Sequence, residues 1–190
     1  MPPRALLWLA LLVEGGLALL ALLLGALLGQ PPLRALQWNA VDALAGLLAT
    51  LPLLLLFALT WRARWAPLRE VREILELRLR PLLAAAPARD LVLVAALAGV
   101  GEELLFRGVL QGVLARYLGP EGGLLIASLL FGAAHCMTPA YFVLAALIGA
   151  YLGWLTQCSA NLLPAILVHA FYDLLILLYV RATGPAPDAP

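Results

Sequence analysis

The chain has few charged residues for its length, since aspartate, glutamate, lysine and arginine make up only 12% of its 190 residues. Soluble domains carry about 25% charged and about 45–50% apolar residues, whereas 64% of this chain is hydrophobic. A soluble fold is therefore excluded, and we predict an integral membrane protein with lipid as one of its partners.

A strong net charge is also absent, because twelve basic residues nearly balance eleven acidic ones and leave a formal charge of +1. No basic stripe with interleaved aromatic residues is present. Since proteins that bind nucleic acid carry such basic surfaces, we exclude nucleic acid as a partner.

Cysteine is scarce, and Cys136 and Cys158 match neither a CxxC motif nor a zinc-ligand spacing. An HExxH motif and a repeat of fixed period are absent as well. The sequence thus gives no evidence of a redox centre, a common zinc-protease motif or a repeat fold.

Long apolar runs are present, and they predict six transmembrane helices, because about 20 apolar residues cross a hydrocarbon core of about 30 Å. Glu14 interrupts the first run, which is too long for a signal-peptide core. We predict a retained helix in which Glu14 has a packing or interfacial role. The predicted spans are about residues 5–29, 38–61, 91–118, 124–137, 140–156 and 162–180.

Residues 62–90 differ from the flanking spans because they contain seven arginines and four acidic residues. Arginine and glutamate recur three or four positions apart, a spacing that pairs them on one helix face. We interpret the segment as a helix at the membrane surface or as a solvated charged loop. The proline-rich tail, residues 183–190, is predicted to be disordered.

The predicted organisation is an all-α, polytopic bundle of membrane helices in four parts. Six spans place both termini on one side of the membrane, and that side holds nine of the twelve arginines. By the positive-inside rule, we predict a cell (inner) membrane protein with cytoplasmic termini and a cytoplasmic surface helix. The parts are two spans in 1–61, the surface segment 62–90, a helical core 91–182 and the tail 183–190.

The third span carries Glu102, Glu103 and Arg107 within an otherwise almost wholly apolar stretch. Each such group costs roughly 2.5–3.5 kcal/mol at a bilayer centre on insertion scales, so the sum rivals a typical domain stability of about 5–15 kcal/mol. Glu103 and Arg107 are four apart and share a helix face, so we predict that they pair. Glu102 points about 100° away and stays free.

The two histidines of the chain also lie in predicted spans. His135 follows Phe131 by four residues in the fourth span, and His169 precedes Asp173 by four in the sixth. Imidazole and carboxylate groups from three helices can activate a water molecule and stabilise an oxyanion if they converge. An ionised Asp173 would repel an oxyanion, so we expect His169 to donate and Asp173 to orient it.

Three motifs resemble the ordered motifs of the CPBP family of intramembrane endopeptidases, which includes type II prenyl-protein (CAAX) proteases and bacteriocin-processing or self-immunity (Abi) proteins. They are EExxxR at 102–107, FxxxH at 131–135 and HxxxD at 169–173. The family often has asparagine at the last position, where this chain has Asp173.

The resemblance implies a hydrolase that cleaves peptide bonds of membrane-associated proteins or peptides. Glu102 matches the residue that activates water, and His135 matches the one that helps to hold this water. His169 and Asp173 match the pair that stabilises the oxyanion. The other motif residues match supporting positions: the structural pair Glu103 and Arg107, and Phe131.

A metal is a second interpretation of the same residues. The family has also been described as metal-dependent, and Glu102, His135 and His169 form the donor set of a Zn²⁺ site with an open fourth position. Because HExxH is absent, we favour water activated by glutamate, with no cofactor required.

Other classes of protein fit less well. Neither Ser128 nor Ser159 follows the Gly-x-Ser pattern of a serine intramembrane protease. The alternative outside the enzymes is a six-span binding or transport subunit whose buried charges hold a ligand, and a catalytically idle scaffold is another. Convergence of the polar groups from three helices on one point is the observation that separates these hypotheses.

Overall fold

The computed structural model describes residues 3–183, and the side chains of residues 8–183. Helices form nearly all of the described chain and no strand occurs within it, so the predicted all-α fold is confirmed. Residues 184–190 of the predicted tail lie outside the described residues. The α-helices are α1 Pro3–Leu27, α2 Ala40–Leu48, α3 Leu51–Arg62, α4 Ala66–Ile74, α5 Arg80–Ala85, α6 Ala88–Glu103, α7 Gly112–Ala134, α8 Pro139–Ser159 and α9 Leu163–Ala182.

Three short helical segments of other geometry complete the described chain. A 3₁₀ turn, Pro32–Ala35, follows α1. Two π-helical segments, Leu75–Leu79 and Leu104–Gln111, join α4 to α5 and α6 to α7. The second contains Arg107 of the first motif, in agreement with the frequent occurrence of π geometry at functional sites.

Four described helical stretches are long and apolar enough to cross a membrane: Trp8–Leu27, Ala40–Arg62, Pro139–Ser159 and Leu163–Ala182. A fifth candidate is the pair Ala66–Ala85 and Ala88–Ala134, which is bent by 119°. Four or five candidate spans therefore stand against the six predicted, and the count of six is not confirmed.

Gly119 accounts for part of this difference. Its φ of 76° and ψ of 168° break the helical path inside α7, and Pro120 begins the next stretch, where proline suits a first helical turn. The sequence predicts a break between the spans 91–118 and 124–137, and the chain folds back on itself here. A Cβ atom on Gly123 would lie 2.7 Å from the backbone nitrogen of Ala115 and 2.8 Å from the backbone oxygen of Gln111. The stretch 120–134 is then only about 22 Å long at 1.5 Å per residue, too short to cross by itself.

The helices that carry the motifs lie side by side. α6 packs against α1 and α9, and α7 packs against α8. A Cβ atom on Gly99 would lie 2.8 Å from the Cβ of Ala170 in α9, and one on Gly101 would lie 2.5 Å from the backbone oxygen of Glu14 in α1. Only glycine permits such close contact, so both neighbours of α6 come within reach of its acidic residues.

The charged segment after α3 is helical over most of its length, as one of the two interpretations predicts. Val71 and Leu83 are buried against the bundle, where α4 contacts α3 and α8, and α5 contacts α9. Arg69 and Glu73 form an exposed ion pair at 3.5 Å. That the charged segment lies at the cytoplasmic surface of the membrane stays a prediction.

Candidate active site

Glu103 is a fully buried carboxylate whose Oε1 accepts two hydrogen bonds. Arg107 Nη1 donates one over 2.7 Å, and His169 Nδ1 donates the other over 2.7 Å. All three side chains are at most 6% exposed, so each buried charge meets the partner that it requires. The predicted ion pair between Glu103 and Arg107 is present, and His169 joins it.

Arg107 also fixes α8. Its Nη2 donates to the backbone oxygen of Gly149 over 3.0 Å, and Gln111, one turn further, donates to that of Gly153 over 3.1 Å. Because neither glycine has a side chain, the buried donors reach backbone oxygens directly. Gln111 lies outside the three motifs, so the motifs do not predict its role, although its four-residue distance from Arg107 places it on the same face.

Phe131 positions the groups around it. The Arg107 guanidinium lies 4.3 Å from the centroid of its ring, within the range of a cation–π interaction. The ring stacks on His135 at 4.5 Å between centroids and meets the edge of His169 at 5.9 Å. The predicted supporting residue thus contacts members of all three motifs.

Glu102 and His135 face each other across two helices. Oε2 of Glu102 is buried without a hydrogen-bond partner, and it lies 3.5 Å from Nε2 of His135. Nδ1 of His135 donates to the backbone oxygen of Phe131 over 2.9 Å, which leaves Nε2 of the neutral ring as an acceptor. At 3.5 Å the two acceptors form no direct hydrogen bond with each other, so both can receive a hydrogen from the same water molecule.

His169 lies between two carboxylates. Its Nδ1 bonds to Glu103, and its Nε2 is 3.4 Å from Oδ2 of Asp173, one turn further along α9. The side chain of Asp173 is 34% exposed. The bond to Glu103 is shorter and better buried, so Glu103 joins Asp173 as an orienting group for His169.

A cavity of about 220 Å³ opens onto this cluster. Its wall includes His135, His169 and Asp173, and elsewhere it is mainly apolar, with contributions from α3, α4, α8 and α9. The wall also includes Leu75 and Leu79 of the first π-helical segment. The cavity therefore connects the motif residues with the charged segment.

Three further residues belong to the surroundings of the site. Tyr141 lies 6.5 Å from His135 between ring centroids and lines the cavity together with Tyr172. Glu14 interacts electrostatically with Glu102, and one of its oxygens is buried without a hydrogen-bond partner. A carboxylate inside an apolar span is the sequence signal that could have identified Glu14, for which the sequence predicts a packing or interfacial role. For Tyr141 and Tyr172, the only sequence signal is that they lie close in sequence to the motif residues His135 and Asp173.

The arrangement does not fit the three-ligand metal site considered above. One ring nitrogen of His169 bonds to Glu103 at 2.7 Å and the other faces Asp173 at 3.4 Å. Among the described residues, no three His, Cys, Asp or Glu side chains are placed to hold one ion, so no step proposed below passes through a metal.

Comparison with protein-family models supplies independent evidence. Residues 84–175 match the model of the type II CAAX prenyl endopeptidases, Rce1-like, a little under half of the chain. No curated protein and no solved structure matches the chain. The resemblance inferred from the motifs is thus confirmed, since the region 84–175, which holds all three motifs, is similar to the Rce1-like type II CAAX prenyl endopeptidases.

Proposed function

We propose that the chain is an intramembrane endopeptidase in which Glu102 activates the attacking water. The family match supports the class of reaction. One observation carries the mechanism: the unpartnered Oε2 of Glu102 lies 3.5 Å from Nε2 of His135. A buried carboxylate with an unused acceptor next to a fixed imidazole is equipped to hold a water and to take its proton.

In the first step, a water bridges Glu102 and His135 and attacks the carbonyl carbon of the peptide bond. Glu102 takes one proton from this water, and the C–N bond breaks after Glu102 passes the proton to the leaving amine. His135 directs the second hydrogen of the water, because Phe131 holds its ring through Nδ1.

His169 acts on the oxygen that becomes negative. Since Nδ1 donates to Glu103, Nε2 is a second donor when the ring carries both protons. Glu103 and Asp173 flank such a cation at 2.7 and 3.4 Å. The ring lines the cavity, so its Nε2–H is available to stabilise the oxyanion without reorganisation.

The proposed substrate is a membrane-associated protein or peptide with an apolar segment. The cavity wall is mainly leucine, isoleucine and aromatic side chains, which favour an apolar chain over a polar one. A prenylated C-terminal segment is the substrate class that the family match favours, and a bacteriocin-like peptide is the other.

The test is proteolysis of fluorogenic apolar peptides, with and without a prenylated cysteine, by the purified protein in liposomes. Glu102→Gln keeps the size of the side chain and removes the base, so turnover is expected to disappear while the folded yield is retained. Glu73→Gln, at an exposed carboxylate of α4, is the matched control. Turnover by Glu102→Gln at the wild-type rate overturns the mechanism.

Chelation separates this mechanism from one that uses a metal. If Glu102 activates water directly, the purified protein is expected to keep cleaving after exhaustive dialysis against a chelator. Activity that disappears on chelation and returns with stoichiometric Zn²⁺ contradicts the proposal.

A further inference from the structure

Arg72 is a cation in the wall of the mainly apolar cavity that is also lined by His135, His169 and Asp173. It lies in α4, and its Nη1 donates to the backbone oxygen of Trp61 in α3 over 2.7 Å. This bond holds the guanidinium between the two helices. Its neighbours in the wall are apolar and include Leu68, Val71 and Leu75.

No acidic side chain of the described residues pairs with Arg72. The ion pairs present there involve Arg69, Arg89, Arg107 and the histidines. A guanidinium has five N–H donors in a planar fork, of which the bond to Trp61 uses one. A charge beside an apolar cavity is costly unless an anion meets it, so the cavity is complementary to an anionic group at this place.

The polar groups of the wall and the volume of the cavity limit the kind of ligand that it can bind. The polar groups of the wall include the motif histidines with Asp173 and the guanidinium of Arg72, and most of the other lining side chains are apolar. A volume of about 220 Å³ is below the roughly 300–1,000 Å³ of ordinary ligand pockets, so the segment inside is short. A short apolar peptide that ends in a carboxylate fits the small volume, the apolar wall and the unpaired cation.

We propose that Arg72 binds the C-terminal carboxylate of the substrate and thereby selects a peptide bond close to the C-terminus. The guanidinium fork matches a carboxylate in a bidentate manner. The proposal rests on the proposed protease function, and it adds the residue that sets the distance between the cleaved bond and the chain end.

The experiment compares pairs of apolar peptides that differ only in a free or amidated C-terminus. The wild-type protein is expected to cleave the acid at least about tenfold more efficiently in kcat/KM than the amide, which corresponds to about 1.4 kcal/mol. Arg72→Gln is expected to bring this ratio to about one, and Arg72→Lys to give an intermediate ratio, since a lysine keeps the charge without the fork. Arg69→Gln, on the same helix, is the control that keeps the ratio.

A purely structural role of Arg72, through its bond to Trp61, lowers both rates equally and leaves the ratio unchanged, which overturns the proposal. A lipid phosphate is the other source of an anion. If Arg72 binds lipid, the acid and the amide are cleaved alike, and Arg72→Gln changes only the dependence of the rate on anionic lipid.

Binding separates a failure of this proposal from a failure of the protease function. With fluorescent peptides and Glu102→Gln protein, the acid is expected to bind at least about tenfold more tightly than the amide, and Arg72→Gln in the same background removes the difference. If the wild-type protein cleaves neither peptide but this preference exists, the protease function fails and the carboxylate site stands. Equal binding of both peptides rejects the site.

Discussion

At the scale of single residues, the three carboxylates of the motifs, Glu102, Glu103 and Asp173, differ in their burial and in their hydrogen-bond partners. Glu103 is fully buried and accepts from Arg107 and His169 at 2.7 Å. Glu102 is buried with one oxygen unpartnered, and Asp173 lies partly exposed on the cavity wall. Oε2 of Glu103 is also buried without a hydrogen-bond partner, so an unused acceptor alone does not separate the two residues. Glu103 is held by Arg107 and His169 through its other oxygen, whereas Oε2 of Glu102 lies 3.5 Å from Nε2 of His135, where it is placed for proton transfer.

Loss of Glu103 or Arg107 is therefore expected to reduce stability as well as activity. Glu103→Gln or Arg107→Leu leaves a buried charge without its partner, at a cost of about 3–5 kcal/mol. Thermal unfolding in detergent and monodisperse yield are the measurements. Unchanged stability of these variants relative to Glu73→Gln contradicts the buried network.

Asp173→Asn is expected to retain most of the activity. Asparagine keeps an oxygen near Nε2 of His169 and adds a donor, and it is the residue that the family often has at this position. The measurement is kcat/KM relative to the wild type and to Glu102→Gln. If Asp173→Asn is folded yet as inactive as Glu102→Gln, a negative charge is required there and Asp173 is a second catalytic acid.

At the scale of helices, close contact decides whether the motifs meet. Gly101 precedes Glu102 and contacts the backbone of α1, whereas a Cβ on Gly16 of α1 would meet nothing within 4 Å. The same substitution, glycine to alanine, therefore tests a tightly packed position at Gly101 and an open position at Gly16.

Gly101→Ala is expected to destabilise the protein by about 1–3 kcal/mol, because the added methyl group meets a backbone oxygen that cannot rotate away. Gly16→Ala is expected to be neutral or to stabilise by up to about 1 kcal/mol, since alanine is the better helix former. Thermal midpoints of the two variants in the same detergent check this, and equal midpoints contradict the contact between α1 and α6.

Helix-level features divide into those that local sequence predicts and those that it does not. The pair Glu103–Arg107 follows from four-residue spacing alone, since it depends only on helix geometry. The bond between Glu103 and His169 joins residues 66 positions apart and depends on how α6 and α9 are rotated. Glu14 illustrates the same limit, because its nearness to Glu102 depends on the packing of α1 through Gly101.

At the scale of the whole molecule, the all-α class and the membrane location follow from composition, because so apolar a chain has no soluble fold. The number of spans is not confirmed, because the apolar run 124–137 falls mostly in the helical stretch 120–134, which follows the break at Gly119 and is only about 22 Å long. The orientation of the termini stays a prediction of the arginine distribution.

The two cysteines provide a test of this orientation. Both are free and exposed, and they flank α8 at opposite ends, about 33 Å apart at 1.5 Å per residue. In right-side-out vesicles, an impermeant maleimide is expected to label Cys158 in Cys136→Ser protein and to miss Cys136 in Cys158→Ser protein until the vesicles are opened. The reverse pattern places the termini outside the cytoplasm.

The shared oxygen of Glu103 links the packing of the helices to the order of the candidate active site. His169 receives its orientation from the same atom that holds Arg107, so the oxyanion donor becomes ordered only when α6 and α9 have met. A chain that is still entering the membrane, or that has lost this helix contact, has no ordered donor. On the proposed mechanism, assembly and activation therefore coincide, and a half-inserted chain is expected not to cleave the proteins that share its membrane.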